Sequence, residues 1–90
     1  FKIPNADELS ILKEVIDSIS ILDSSSSADE FQSAIFTVGK NSFYKENIKE
    51  YFKLIYEVVF GQENGPRLGS FVKIYTKDKT IELMNSKLNV

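Results

Sequence analysis

Apolar residues recur at three- and four-residue spacing along almost the whole chain. Leu9, Leu12, Val15, Ile16, Ile19 and Leu22 mark one face, with Lys13, Glu14, Asp17 and Ser18 between them. That period predicts an amphipathic helix over residues 5–22. Asn5 or Asp7 can cap its start, and Asp7 and Glu8 suit the positive end of the helix dipole. The serines at 24–27 read as a turn, and Ser27 with Glu30 has the spacing of a capping box. A second helix is therefore expected over 28–39, with Phe31, Ala34, Ile35 and Val38 on one face and Gly39 as its end.

After a short loop, Ile48, Tyr51, Phe52, Ile55, Tyr56 and Val59 form a broad apolar stripe, which predicts a third helix over 45–60. Its outer side offers Glu46–Lys49 and Glu50–Lys53 pairs, worth a few tenths of a kcal/mol each. Gly61 is placed to stop it, since a helix often ends on a left-handed glycine. Leu68, Phe71, Val72 and Tyr75 restore the helical period over 66–75, with Pro66 suited to a first turn. Thr76 or Asp78 opens a last helix over 77–88, bearing Ile81, Leu83, Met84 and Leu88. No strand alternation is visible. The expected fold is all-α: one domain over 1–90, a compact bundle or cage of about five helices with short loops. Its core is expected to include Leu12, Val15, Ile19, Phe31, Ile35, Ile48, Phe52, Ile55, Phe71 and Met84.

Composition narrows the chemistry. Seven Phe and four Tyr supply enough apolar volume for a core in 90 residues, a size that buries roughly 60–65% of its unfolded surface. Cysteine and histidine are both absent, which excludes disulfides, thiolate metal sites and the usual proton shuttle. The acidic residues lie at helix starts or on helix exteriors, so no catalytic constellation is expected. No apolar run approaches the ~20 residues that span a bilayer. The chain opens Phe1-Lys2-Ile3-Pro4, without signal or transit character, and reads as a piece of a longer cytoplasmic protein. The net charge of −2 argues mildly against a free-standing nucleic-acid-binding domain.

One stretch stands apart. Gly61-Gln62-Glu63-Asn64-Gly65-Pro66-Arg67-Leu68-Gly69-Ser70-Phe71 holds three of the four glycines, one of the two prolines and the only arginine. It resembles the Gly-Gln-x-x-Gly-Pro-Arg-Leu-Gly-Pro-Phe signature near the end of class I lysyl-tRNA synthetases. Ser70, where that family usually has proline, is the one departure. Phe31-Gln32-x-x-Ile35-Phe36 and Tyr51-Phe52-Lys53-x-Ile55-Tyr56-x-Val58-Val59-Phe60-Gly61 resemble the two preceding helices, so the likeness covers roughly residues 28–88. Glutamyl-tRNA synthetases, with a Pro-Pro-Leu-Phe version of the turn, are the nearest alternative.

The resemblance implies the C-terminal anticodon-binding domain, a helical cage that contacts the anticodon stem-loop of tRNA(Lys). The parent's catalytic domain would use the ATP, and no cofactor or metal is expected in this piece. The HIGH-like and KMSKS motifs of the parent are missing; Met84-Asn85-Ser86-Lys87 lacks the leading lysine of the second. Unpaired bases are read by stacking and by hydrogen bonds to their edges. The residues implied are Gln62, Gly65, Pro66, Arg67 and Leu68 in the loop, with Lys40, Asn41 and Lys73 as further contacts. Arg67 offers a planar fork to a base edge or phosphate; alternatively it ties down loop carbonyls or pairs with Glu63. A second class of reading is a helical module that docks on its parent or a protein partner and never touches RNA.

Overall fold

The computed structural model describes residues 3–88. Among them, five helices and no strand are present: α1 (Ala6–Ser20), α2 (Ala28–Lys40), α3 (Ile48–Phe60), α4 (Leu68–Tyr75) and α5 (Lys77–Leu88). The all-α prediction holds. α1 and α2 start in the same way. Asn5 Oδ1 accepts from the Glu8 N–H at 2.8 Å while Glu8 Oε1 accepts from the Asn5 N–H at 3.0 Å. Ser27 and Glu30 repeat the reciprocal pair at 3.1 and 2.8 Å. Such caps satisfy two orphan donors each and stabilise a helix start by about 1 kcal/mol.

The helix ends are held by the rest of the molecule. α1 stops at Ser20, short of the expected Leu22, and its last turn contains no basic residue. Lys77, at the start of α5, fills that role: its Nζ donates to the Leu22 carbonyl at 2.5 Å. A cation there complements the negative end of the helix dipole. Lys73 Nζ donates to the Ser24 carbonyl at 3.3 Å, so α4 and α5 together clamp the α1–α2 linker.

The core takes Ile11, Leu12, Val15, Ile16 and Ile19 from α1 and Phe31 and Ile35 from α2. Tyr51, Leu54, Ile55, Val58 and Val59 of α3, Leu68 and Val72 of α4, and Met84 of α5 complete it. Of the expected core, Ile48, Phe52 and Phe71 are only half-buried. The apolar stripe of α3 is broad, covering more than half its circumference opposite Lys49, Glu50, Lys53 and Glu57, so the period alone does not say which of its apolar residues sit deepest; the buried face is the one centred on Tyr51 and Ile55. Tyr51 enters because its hydroxyl donates to the Ile35 carbonyl at 2.5 Å. It also needs the space above Gly39, where a Cβ would lie 2.5 Å from the ring. Gly39 therefore stands inside α2 and does not end it; the helix continues to Lys40 with Asn41 as its cap.

Two starts come later than expected. Residues 41–47 form successive turns, and α3 begins at Ile48, not at 45. Ser42 explains the delay: its hydroxyl donates to the Gly39 carbonyl at 2.7 Å and accepts from the Tyr44 N–H at 3.0 Å, offering the backbone an alternative to the helix. α4 begins at Leu68 with Arg67 before it, leaving Pro66 outside. No buried polar side-chain atom among the described residues lacks a partner.

Candidate functional site

The connection from α3 to α4 is exposed at every residue from 61 to 67. It leaves α3 at Gly61, whose φ of 72° is left-handed; a side chain is disfavoured there by contact with the carbonyl. Four contacts then fix its path. Glu63 approaches Lys53 of α3 at 3.8 Å. Tyr56, also on α3, donates its hydroxyl to the Pro66 carbonyl at 2.9 Å and lays its ring beneath Gly65. Burial pushes the Tyr56 phenol pKa up, which keeps that donor protonated. Arg67 Nη2 meets Asp29 Oδ1 of α2 at 2.9 Å, and the Gly69 N–H donates to Gln32 Oε1 at 2.7 Å.

The last contact marks the closest helix crossing. A Cβ at Gly69 would collide with the Ala28 carbonyl oxygen and stand 2.9 Å from the Gln32 N. α4 thus lies backbone against backbone on the first turn of α2. Gly69 serves that crossing, and Leu68, 5% exposed, is a core side chain that seats the loop from below.

The candidate residues divide. Gln62, Gly65, Pro66 and Arg67 share the exposed loop. Lys40 and Asn41 stand at the opposite end of α2 from Asp29, about 16 Å away at the helical rise of ~1.5 Å per residue. Lys40 Nζ is 6.0 Å from the Phe36 ring centre. Lys73 is engaged with the α1–α2 linker. The charge of Arg67 is matched by Asp29, not by the expected Glu63, and the pair is open to water, with side-chain exposures of 51% and 85%. An exposed pair of this kind contributes roughly 0–1 kcal/mol.

What the loop presents outward is therefore polar, not basic. The amides of Gln62 and Asn64 make no side-chain hydrogen bond among the described residues, and each offers two donors and an acceptor. Asn64 was not among the candidates, nor were Tyr56, Asp29 and Gln32, which position the loop. A signal existed for Gln32 and Tyr56, since both fall in the stretches that resemble the synthetase helices. Asp29 had none, because its partner is 38 residues away. No group of three or more potential metal ligands occurs among the described residues. Among the described residues, no helix is long and apolar enough to cross a membrane.

The chain is similar to curated lysine–tRNA ligases of Rickettsia. It is 36% identical to that of Rickettsia felis over 94% of this chain and 16% of the relative. It is 38% identical to those of Rickettsia akari and Rickettsia prowazekii, over 89% and 87% of this chain and 15% of each relative. The chain thus matches a region of lysine–tRNA ligases and spans about a sixth of their length. No family model matches it, and no solved structure matches it.

Proposed function

We propose that this chain is the anticodon-recognition domain of a class I lysine–tRNA ligase, a non-catalytic part of a cytoplasmic enzyme that lysylates tRNA(Lys). The carrying observation is the exposed loop over 61–67, pinned to α2 and α3 at both ends, in a chain 94% of which aligns with about a sixth of a lysine–tRNA ligase. A loop whose backbone is already ordered loses little entropy on meeting a partner. Its outward groups, the Gln62 and Asn64 amides, the Gly65–Pro66 backbone and one edge of the Arg67 guanidinium, suit base edges better than phosphates. The net charge of −2 fits a domain whose parent supplies most of the attraction to the tRNA backbone. ATP would act in the parent's catalytic domain, and the remaining partners are the rest of that enzyme and the anticodon stem-loop.

Docking without RNA contact has one observation in its favour, the exposure of Ile21 at 82% and Ile74 at 86%. Single exposed apolar residues are ordinary on a protein surface, and these belong to different segments, Ile21 just after α1 and Ile74 in α4.

Arg67→Ala in the full-length synthetase tests the reading. Loss of a bidentate base contact is worth about 1–3 kcal/mol. Aminoacylation of the cognate tRNA should fall by that amount, with little loss for anticodon-swapped tRNA and unchanged ATP–pyrophosphate exchange at saturating tRNA. Asp29→Ala is the control: it breaks the same ion pair but leaves the guanidinium in place, so tRNA affinity should be kept. Equal losses in both variants, tracking a lowered melting temperature, would make Arg67 a scaffold and refute its role as a reader.

A further inference from the structure

Beyond the loop, an open groove of about 340 Å³ lies where α4 gives way to α5, lined by Tyr75, Lys79, Glu82, Leu83 and Ser86. We infer that this groove holds one unpaired RNA base that bears an exocyclic amino group, stacked on Tyr75; the inference rests on the RNA-binding reading above and extends it to a second site. Tyr75 is 41% exposed. It stacks on Phe71 at 5.0 Å and 24°, and Phe71 meets the edge of Phe60 at 5.0 Å and 87°. Phe60 in turn faces Tyr56 at 6.0 Å, the residue that supports Gly65 and Pro66. A row of four rings thus runs from the candidate loop to the groove. Its last member, Tyr75, is exposed and lines the groove, and an exposed ring of this kind can serve as a base-stacking platform.

The polar lining selects the ligand. Among the described residues, neither Lys79 nor Glu82 is in an ion pair. By contrast Arg67, Lys73 and Lys77 are occupied by partners within the domain. Lys79 therefore supplies an uncommitted cation for a phosphate next to the stacked base. The Ser86 hydroxyl donates its proton to the Leu83 carbonyl at 2.6 Å, which leaves its oxygen as an acceptor. The Glu82 carboxylate is an acceptor as well. Two acceptors favour an amino-bearing edge; uracil offers them only its N3–H, flanked by two carbonyl oxygens that acceptors repel, and is the weaker match.

The test uses the full chain with fluorescein-labelled oligocytidylate and oligouridylate hexamers, two pyrimidines of like stacking size, read by anisotropy across a salt series. The wild type should bind the cytidine hexamer several-fold more tightly. Tyr75→Ala should weaken both by about tenfold, within the range found for single stacked bases, and Tyr75→Phe should restore binding. Glu82→Gln, which adds a donor that uracil can accept, should narrow the preference for cytidine. Lys79→Ala should lower the slope of log K against log salt by about one. Circular dichroism checks that each variant is folded. Unchanged affinity in folded Tyr75→Ala overturns the groove, and a tRNA loss confined to Arg67→Ala leaves the earlier reading standing. If neither hexamer binds the folded chain at millimolar concentration while Arg67→Ala still weakens aminoacylation in the full-length synthetase, the groove inference fails alone. Should Tyr75→Ala alter only self-association in sedimentation, the groove is a protein-docking face and the inference is wrong.

Discussion

Gly69 and Gly65 lie in one loop motif yet answer to different neighbours. At Gly69 the obstacle to a side chain is backbone, the Ala28 carbonyl and the Gln32 amide, and neither can step aside without separating α4 from α2. Overpacking of this kind costs about 1–3 kcal/mol and sometimes more. At Gly65 a Cβ would stand 3.1 Å from the Tyr56 ring, at an exposed position where a shift of a few tenths of an ångström suffices. Gly69→Ala is therefore expected to destabilise by about 3 kcal/mol and Gly65→Ala by less than about 1 kcal/mol. Urea unfolding of the two variants measures the difference; equal losses would mean the α2–α4 crossing is looser than it looks. If Gly65→Ala folds normally and still weakens tRNA binding, Gly65 matters for close approach by the RNA.

At the scale of elements, the junction of α4 and α5 stores strain. One residue, Thr76, separates them, at φ 84° and ψ 151°. A β-branched residue rarely adopts that region, and residues held there cost of order 1–3 kcal/mol. The conformation persists because neighbours over-determine it: the Thr76 carbonyl accepts from both the Thr80 N–H at 3.0 Å and the Thr80 hydroxyl at 2.7 Å. Its own hydroxyl adds a long contact from the Lys79 N–H at 3.4 Å. Glycine reaches the same backbone shape without strain and loses only a few tenths of a kcal/mol as a cap. Thr76→Gly should accordingly stabilise the chain by about 1 kcal/mol, with an unchanged dependence on denaturant. Loss of stability would show that the hydroxyl matters more than the strain. This junction also sets Tyr75 and Lys79 on the two sides of one groove, so the same variant reports on whether binding there depends on a rigid break.

For the molecule as a whole, one buried hydroxyl gives folding a pH dependence. Tyr51 lies in the centre of the core, and burial, with the charge of Glu14 adding to it, pushes its phenol pKa well above the ordinary value of 10.0. Burial pushes Tyr56 in the same direction. Below pH 10 both folded and unfolded chains keep these protons, so the stability from the neutral phenol is fully present. Above pH 10 the unfolded chain loses protons that the folded chain retains, and stability declines as pH rises. Global unfolding free energy measured from pH 8 to 11 should fall in the upper part of that range. Tyr51→Phe should flatten the decline and lower stability near neutrality by about 0.5–1.5 kcal/mol, the usual net worth of one hydrogen bond. An alkaline limb identical in Tyr51→Phe would assign the decline to other groups.

What this sequence determined by itself is whatever depends on residues within about one helical turn. The 3.6-residue period, the Asn5–Glu8 and Ser27–Glu30 boxes and the left-handed Gly61 are all local, and they sufficed for five helices and for the position of the exposed loop. The resemblance in Gly65-Pro66-Arg67-Leu68-Gly69 pointed to lysyl-tRNA synthetases, in agreement with the relatives. Tertiary structure decided which residues of the broad apolar stripe of α3 sit deepest, and made Tyr51 rather than Phe52 its centre. It also placed Gly39 inside a helix, paired Arg67 with Asp29 across 38 residues, and set Lys40 and Asn41 far from the loop. The reason is the range of the forces involved. Capping and turn preference act between near neighbours in sequence, whereas steric fit and charge pairing act between neighbours in space, and only the folded chain specifies which residues those are.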